Sequence, residues 1–343
     1  MSGVRWPIMS MNAAVAFDDV SAVDDPFTMR LDPRPAVSLG DTSRLRVLLE
    51  RLISGKPLHI AVFGGSSTAG HALPRHSPNL YHAMLSRWIN QTFPNRGSTT
   101  LNAGTPAVGP IYMSKCLAYE FRSPIGETSC TKAHRCTMAG LVLLEYTQNM
   151  YKGGMGIPEG IALERLIRRL LQLPSRPALV LVNLPLWAQL LPTTSEIPAC
   201  ARCPEEKFAD PLASFYHLPS VSLSRLLISW GNTSHELAKH HSHHRKLWRH
   251  RVLSYHKINR TAGWFQCSSK DNEGLGRCGP SPSEVPHPNQ IGHFLVARAL
   301  AYLLQRACIG DGDGKGHRMD NTTNRVVLDD SSVNYRVDSP SYH

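Results

Sequence analysis

A serine stands directly after two glycines at the end of an apolar run, and this arrangement can present a hydroxyl group for chemistry. The run at 59–63 (HIAVF) fits a buried parallel strand, and the glycines at 64 and 65 end it before Ser66. Glycine lets the chain turn sharply, and the unpaired amides at the start of a following helix stabilise nearby negative charge. The segment therefore predicts a strand-to-helix turn that carries Ser66. A plain glycine turn, with Ser67 and Thr68 as helix caps and no chemistry, is the alternative interpretation.

Four short blocks of sequence carry a resemblance to a known family. They are IAVFGGSSTAG at 60–70, LNAGTPAVGPIYMSKC at 101–116, LVLLEYTQNM at 141–150 and EVPHPNQIGH at 284–293. In that order they resemble the characteristic blocks of SGNH/GDSL hydrolases, and more narrowly the eukaryotic members that begin with GGSxTxG. The similarity extends from about residue 45 to residue 307. It implies an α/β protein with the flavodoxin-like SGNH hydrolase fold, a three-layer α/β/α sandwich with a doubly wound, mainly parallel sheet.

The resemblance also implies a nucleophile and a base. Ser66 would attack an ester carbonyl and His287 would take its proton, since a serine hydroxyl needs a base within hydrogen-bond reach. Glu284 occupies the place of the acidic residue in the family's D-x-x-H motif, where it supports the histidine. Because the glutamate side chain is longer, a backbone carbonyl is the alternative partner of the ring. His293 is the competing imidazole, although a histidine on a helix face is more often a packed or capping residue.

The second and third blocks are expected to bind the oxyanion of such a reaction. The donors would be the backbone amide of Ser66, a backbone amide of the second-block loop and the side-chain amide of Asn149. The family's usual glycine falls at Ala107, whereas glycines stand at 104 and 109, so Gly104, Ala107 and Gly109 are all candidates for the loop donor. Ala107 can serve if its backbone dihedrals are ordinary. Without the family, Asn149 is a turn residue that ends a strand.

Three functions remain open at this stage. The first is a serine esterase that removes small acyl groups, with O-acetylated glycan as the expected substrate class. The second is a glycan O-acyltransferase that uses the same serine and histidine but transfers the acyl group to a sugar hydroxyl. The third is a non-catalytic protein on the same scaffold, which the family departures at Gly65, Ala107, Met150 and Glu284 favour. No cofactor or metal is expected, and the Walker and G-x-G-x-x-G phosphate loops are absent from the serine turn.

The elements that must position these residues alternate between helix and strand. Helical apolar patterns stand at 43–57, 79–94, 158–174 and after the Pro-Asn pair at 288–289. Strand patterns stand at 59–63, in 98–110, where the strand ends in a Gly/Pro loop, in the apolar run 138–149, which ends in polar residues, and at 177–185. A late strand and helix fall within 215–230. This alternation predicts a doubly wound parallel sheet with helices on both faces. The predicted domain spans 41–308, between a flexible arm at 1–40 and a disordered tail at 309–343.

The charge of the chain favours polyanionic partners but does not identify one. The 343 residues carry a formal net charge of +11, and the segment 234–260 holds seven of the seventeen histidines among lysines and arginines. A metal tract or a pH-sensitive patch are alternatives to a solvated amphipathic helix and loop, which is the favoured interpretation. The segment can bind an acidic polysaccharide. Nucleic-acid binding is not expected, because no recognised module accompanies the basic residues.

The cysteines and sequons favour an oxidising compartment. Acceptor sequons stand at Asn90, Asn232, Asn259 and Asn321, and the cysteine spacings allow pairs at 130–136, 200–203 and 267–278, which leaves Cys116 and Cys308. The chain is therefore expected to be a disulfide-containing glycoprotein of the secretory pathway or the extracellular space. Against this, the first twenty residues do not form a clear signal peptide. No apolar run has the length of a transmembrane span.

Overall fold

The computed structural model describes residues 32–71, 73, 77–122, 139–150, 156–184, 208–226, 265–266, 287–288 and 290–309. Strands in these ranges are β1 (Val37–Ser38), β2 (His59–Gly64), β3 (Thr99–Gly104), β4 (Leu141–Glu145), β5 (Ala178–Asn183), β6 (Ser220–Ser222), β7 (Phe265–Gln266) and β8 (His287–Pro288). Helices are α1 (Ser43–Ile53), α2 (Ser66–Ala69), α3 (Tyr81–Thr92), α4 (Pro110–Arg122), α5 (Gly156–Leu171), α6 (Asp210–Phe215) and α7 (Gln290–Ile309). Short 3₁₀ turns at Arg34–Ala36 and Thr147–Asn149 precede β1 and follow β4.

A six-stranded sheet with the order β1-β6-β5-β4-β2-β3 forms the centre of the fold. The edge strand β1 runs antiparallel to β6, and the other neighbouring strands are parallel. The chain first places β3 on one side of β2 and then crosses over to place β4 on the other side. This is the flavodoxin-like strand order, in which ligands bind outside the carboxyl ends of the strands at the point where the winding reverses. Here that switch point lies between β2 and β4.

The strands divide the core between two faces, because successive side chains of a strand point to opposite sides. In β2, Ile60 and Val62 belong to one core, and Ala61 and Phe63 belong to the other. The same alternation holds in β4 and β5. Helices α1, α3 and α7 cover the first face, and α4, α5 and α6 cover the second. The predicted three-layer α/β/α sandwich with a doubly wound, mainly parallel sheet is therefore confirmed.

The middle strand β4 is buried on both faces. All five of its residues are buried, as is typical of a parallel strand that helices cover on both sides. Four of them are apolar, and the fifth, at the carboxyl end, is Glu145. Burial of a carboxyl group is costly unless hydrogen bonds compensate for the lost water. This residue therefore requires an explanation beyond packing.

Residues 36–38, which precede the predicted domain boundary at residue 41, make core and sheet contacts. Ala36 is fully buried in the first core, and Val37 and Ser38 pair with Val221 and Ser220 of β6. Because these residues make sheet and core contacts, they are part of the domain rather than of a flexible arm. The remainder of the predicted arm, 1–31, and the tail at 310–343 lie outside the described residues.

The described cysteines and the described sequon give no support to the disulfide and glycoprotein predictions. Cys116 and Cys308 are free thiols, and the three predicted pairs lie outside the described residues. Asn90 uses both ends of its side-chain amide: Nδ2 donates to Ser98 O (3.0 Å), and Oδ1 accepts from Ser98 N (2.9 Å). A glycan on Nδ2 would displace this paired contact. The other three sequons lie outside the described residues.

Two further observations concern membranes and the basic segment. In the part of the chain that the structure describes, every helix is too short or too polar to cross a lipid bilayer. The basic segment 234–260, predicted as a solvated surface for acidic polysaccharide, lies outside that part.

Candidate active site

The turn after β2 carries Ser66 at the switch point of the sheet. β2 ends at Gly64, Gly65 is the N-cap residue in an extended conformation (φ −88°, ψ −150°), and α2 begins at Ser66. The helix ends after one turn because Gly70 adopts a left-handed conformation (φ +91°). Thr105 donates its backbone N–H to Gly64 O (2.9 Å), which fixes the second-block loop against the turn. The predicted strand-to-helix turn is thus present.

Asn149 packs directly against the glycine that precedes Ser66. A Cβ atom added to Gly65 would lie 1.9 Å from Asn149 Oδ1 and 2.7 Å from Asn149 Cγ. No side chain fits in that space while Asn149 keeps its position. Glycine at position 65 therefore leaves the space that the Asn149 side chain occupies.

Of the three hydroxyl residues in α2, Ser66 is the one left for chemistry. Ser67 and Thr68 are fully buried, whereas Ser66 is partly exposed. The Ser67 hydroxyl donates to Gln148 Oε1 (2.5 Å), and the Thr68 hydroxyl donates to Glu145 Oε2 (2.9 Å). Neither side chain caps α2, so the alternative interpretation of these two residues as helix caps is wrong. Both instead fix the turn to the end of β4 and the residues after it.

His287 contacts Ser66 across 221 residues of sequence. Its Nε2 atom lies 2.7 Å from Ser66 Oγ, a normal hydrogen-bond distance. The histidine is buried, with 6% of its surface exposed, and it lies on the two-residue strand β8, which pairs with β7. The ring of His71, just after α2, lies 4.9 Å from the His287 ring, at an angle of 42°. The predicted meeting of Ser66 and His287 is therefore observed.

His293, the competing imidazole, occupies a different environment. It is fully buried, and its Nδ1 atom accepts a hydrogen bond from the backbone N–H of Tyr81 (3.3 Å). Its ring stacks on the Tyr81 ring, with 5.7 Å between centroids and 8° between planes. Burial, followed by the charges of His82 and His287, lowers the pKa of His293 to about 3. His293 is thus a neutral, packed residue at physiological pH.

The three candidates for the loop donor of the oxyanion hole lie in different settings. Gly104 ends β3, and a Cβ there would lie 2.5 Å from Ala69 N in the serine turn. Ala107 has a positive φ of 63°, so its dihedrals are not the ordinary ones on which its candidacy depended. Gly109 lies before α4, where a Cβ would meet Glu159 Oε2 at 2.6 Å. A positive φ is a conformation that glycine adopts more readily than alanine.

The remaining predicted site residues lie in two places. Asn149 is in the 3₁₀ turn after β4 and is buried, with 8% of its surface exposed. Met150, where the family commonly has aspartate, is buried in the second core. Glu284 lies outside the described residues, so its predicted role as the partner of His287 stays a prediction.

Glu145 belongs to this site but was not predicted. Its Oε2 atom accepts hydrogen bonds from the Thr68 hydroxyl (2.9 Å) and from the Gly65 backbone N–H (3.3 Å). Burial raises the pKa of Glu145 to about 8, and the hydrogen bonds from Thr68 and Gly65 oppose that shift. The sequence signal for it was available, since Glu145 is the polar residue that ends the apolar strand LVLLE, directly before the third-block turn.

Two more buried polar residues surround the turn. The Tyr81 hydroxyl lies 2.9 Å from Thr68 Oγ1, and His82 Nε2 lies 3.3 Å from the backbone oxygen of Thr68. Burial raises the pKa of Tyr81 well above its ordinary value and lowers that of His82 to about 4. The underside of the serine turn is therefore a neutral polar cluster sealed by the core.

This geometry supports nucleophilic acyl chemistry. A histidine at 2.7 Å can accept the serine proton as the hydroxyl attacks, and the amide groups of a helix start and of Asn149 lie beside the same turn. Within the described residues, no cluster of three or more His, Cys, Asp or Glu side chains could hold a metal ion.

Comparison with known proteins adds evidence on the fold. No family model matches the chain. No curated protein matches it by sequence. Among solved structures, a two-domain esterase (CEX) active on acetylated mannans aligns with a TM-score of 0.54 and 19% identity over 82% of this chain and 58% of that chain. The structure of such an esterase co-crystallized with mannopentaose gives 0.53 and 18% over the same shares.

A third similar structure, an acetyl xylan esterase (AlAXEase), aligns at a TM-score of 0.41 and 13% identity over 71% of this chain and 98% of that chain. The chain covers a little over half of the length of the mannan-active esterases, 58%. For the two mannan-active esterase structures, whose TM-scores are 0.53 and 0.54, the similarity indicates a shared fold.

Proposed function

We propose that this chain is a serine esterase of the SGNH type that removes small acyl groups, foremost acetyl, from carbohydrate. The observation that carries the proposal is the 2.7 Å contact between Ser66 Oγ and His287 Nε2 at the switch point of the sheet. Ligands of doubly wound folds bind at this switch point, outside the carboxyl ends of the strands. The four-block resemblance supports the SGNH type, and two fold neighbours described as esterases active on acetylated mannans support the substrate class.

The proposed reaction proceeds in two steps. His287 takes the proton of Ser66 as Oγ bonds to the ester carbonyl carbon, and the carbonyl oxygen becomes an oxyanion. The Ser66 amide, an amide of the loop 104–109 and the Asn149 side chain would stabilise that oxyanion. His287 then gives the proton to the departing sugar oxygen, which leaves an acyl-serine. A water molecule activated by His287 attacks the acyl carbon, and the products are the carboxylic acid and free Ser66.

The orientation of His287 completes the proposed mechanism. Glu284, three residues before the histidine, is the proposed partner that holds the ring in the reactive tautomer.

The cysteines and sequons support the proposal that the chain is located in the secretory pathway or outside the cell. The basic segment 234–260 supports the proposal that the chain binds acidic polysaccharide. Disulfides within the three cysteine pairs and glycans on the remaining sequons are part of the same proposal.

A labelling experiment tests the nucleophile. A fluorophosphonate probe bonds covalently to an activated serine, so we expect the wild-type chain to be labelled and Ser66→Ala to be unlabelled. Hydrolysis of a chromogenic acetyl ester should fall by roughly 10³-fold or more in Ser66→Ala, with little change in Tm. Ser67→Ala is the matched control and should still be labelled. Full hydrolysis by pure Ser66→Ala would reject the proposal.

A second measurement separates hydrolysis from transfer. With a radiolabelled acetyl donor and an oligosaccharide acceptor, an esterase releases labelled acetate to water, whereas an acyltransferase moves the label to the glycan. We expect release to water to be faster. Faster transfer to the glycan would keep Ser66 and His287 in their roles but assign the chain to the acyltransferases. A chain that neither labels nor hydrolyses would instead be a non-catalytic binding protein.

A further inference from the structure

A single buried carboxyl oxygen contacts the chain on both sides of Ser66. Glu145 Oε2 accepts the backbone N–H of Gly65, the residue before Ser66, at 3.3 Å. It also accepts the hydroxyl of Thr68, two residues after Ser66, at 2.9 Å. Glu145 has no exposed surface, so water cannot replace these bonds. The Gly65 N–H also donates to the backbone oxygen of Glu145 (3.2 Å). The start of the serine turn is therefore fixed to β4 by main chain and side chain together, and Thr68 is fixed there by the side chain.

The contacts continue from the turn towards the helix that follows His287. Thr68 Oγ1 lies 2.9 Å from the Tyr81 hydroxyl at the start of α3. The backbone N–H of Tyr81 donates to His293 in α7 (3.3 Å), and the two rings stack. Since α7 begins at Gln290, three residues after His287, this chain of contacts joins the serine turn to the element that leads from the histidine.

We propose that Glu145 is a positioning residue, which holds Ser66 at its distance from His287 through Gly65 and Thr68. The inference rests on the proposed function and concerns the same site. Glu145 does not contact the reacting atoms. Its role is to fix the turn that presents the hydroxyl. Tyr81 connects this turn to α7, the helix that follows His287, through its contacts with Thr68 and His293.

The hydrogen bonds indicate which form of the side chain is needed. The oxygen that clamps the turn is an acceptor in both bonds, and a neutral carboxyl group with its proton on Oε1 still offers Oε2 as an acceptor. Burial raises the pKa of Glu145 to about 8, which favours that neutral form at pH 7. A glutamine at this position offers a carbonyl oxygen in the same place. Leucine has a similar size but no acceptor.

The test compares Glu145→Gln with Glu145→Leu. We expect Leu to lower kcat on a chromogenic acetyl ester by about 10- to 100-fold with KM within about threefold, because a misplaced nucleophile slows the chemical step more than it weakens binding. Gln should restore kcat to within about threefold of the wild type. The rate of fluorophosphonate labelling should follow kcat. A folded Leu variant with wild-type kcat, or a Gln variant as slow as Leu, would overturn the inference.

Two controls keep the result interpretable. Ser98→Ala removes the hydroxyl that accepts the backbone N–H of Leu58 (3.0 Å). This buried contact lies at the amino ends of β2 and β3, away from the serine turn, so the variant should lower Tm without lowering kcat. If Glu145→Leu does not fold, Thr68→Val removes the bridging hydroxyl with little change of shape and should lower kcat by about tenfold. Wild-type kcat in Thr68→Val would then overturn the inference. Failure of the proposed function appears separately, as full activity in Ser66→Ala.

Discussion

The two halves of the Ser66–His287 contact are supported in unequal ways. Ser66 follows β2 in the middle of the sheet without a break, and the turn is bound to β4 through Glu145 and to β3 through Asn102, whose Nδ2 donates to Thr68 O (3.0 Å). His287 lies on a two-residue strand that pairs with another two-residue strand, β7. An isolated pair of such short strands is marginally stable by itself. The serine is thus held by the core, and the histidine depends on the anchoring of α7.

This difference indicates where the site is vulnerable. The serine turn has no free volume, so small additions there should damage both stability and chemistry. On the histidine side, the described residues show the short strand β8 directly before α7, so the position of His287 should depend on α7, which packs on α1 and α3 in the first core.

The largest loss of stability and labelling rate is expected when one methyl group is added at residue 65, in Gly65→Ala. Its Cβ would lie 1.9 Å from Asn149 Oδ1, so Gly65→Ala must move Asn149 or the turn. We expect a loss of about 1–3 kcal/mol in the free energy of unfolding, as for other overpacked sites. Labelling of Ser66 by a fluorophosphonate should slow by about 100-fold, because the nucleophile moves. Denaturant unfolding and labelling rates measure the two effects.

The matched control is Gly55→Ala, after α1. Gly55 has a positive φ of 79°, unlike Gly65, and a Cβ there would meet no atom within 4 Å. It should cost about 1 kcal/mol through its backbone conformation and leave the labelling rate unchanged. Equal labelling by Gly65→Ala and the wild type would show that the turn has more room than the structure indicates.

The second prediction concerns the pH dependence of stability. In the folded protein the pKa of Glu145 is about 8, against an ordinary value of 4.5. Between these two pH values the unfolded chain has released the proton and the folded chain has kept it. The contribution of Glu145 to the free energy of unfolding should therefore fall as pH rises from about 4.5 to 8. Each pKa unit is worth about 1.4 kcal/mol, so the total loss at pH 9 should be a few kcal/mol.

Glu145→Gln isolates this effect, because it removes the titrating group and keeps the acceptor. The variant should gain stability relative to the wild type from pH 5 to pH 9 in denaturant titrations. Its loss of stability below pH 6.5 should remain, because the pKa of His82 is about 4 and that of His293 about 3 in the folded state. A difference between wild type and variant that does not change with pH would contradict the assignment of a neutral Glu145.

The smallest effect is expected at Ala107, which has a positive φ of 63°. A side chain in the left-handed region costs about 1–2 kcal/mol, and the greater freedom of glycine in the unfolded chain offsets about 0.4–1 kcal/mol of that gain. Ala107→Gly should therefore raise the free energy of unfolding by up to about 1 kcal/mol. Thermal unfolding measures it. Ala83→Gly, in the regular helix α3, should instead lower stability by about 1 kcal/mol.

Much of the fold could be predicted from the sequence because its strands are fully buried. Short apolar runs at 59–63, 141–144 and 177–182 are typical of parallel strands that helices cover on both faces, and the amphipathic helices between them indicate the crossovers. The serine turn was predictable for the same reason, since both its glycines and its hydroxyls are adjacent in sequence. The helix α4 was not predicted, and the pattern at 111–122 was not interpreted.

The rest of the site depends on contacts between distant parts of the chain. In the sequence, Glu145 is an ordinary polar residue at the end of a strand. Its role depends on the hydrogen bonds that Gly65 and Thr68 donate to its carboxyl group in the folded chain. The difference between His287 and His293 was resolved by the position of Tyr81, which lies more than two hundred residues earlier. The left-handed conformation of Ala107 could be suspected from the family's glycine, but a single alanine does not indicate it.

The short antiparallel strand β1 has a consequence for the outer rim of the sheet. Val37 and Ser38 form the edge strand beside Val221 and Ser220 of β6. Without them, the backbone amides and carbonyls of β6 on that side would face solvent. An uncovered strand of this kind recruits strands from other molecules. Val37 and Ser38 replace that uncovered strand with an edge of only two residues, and very short edge strands limit such pairing.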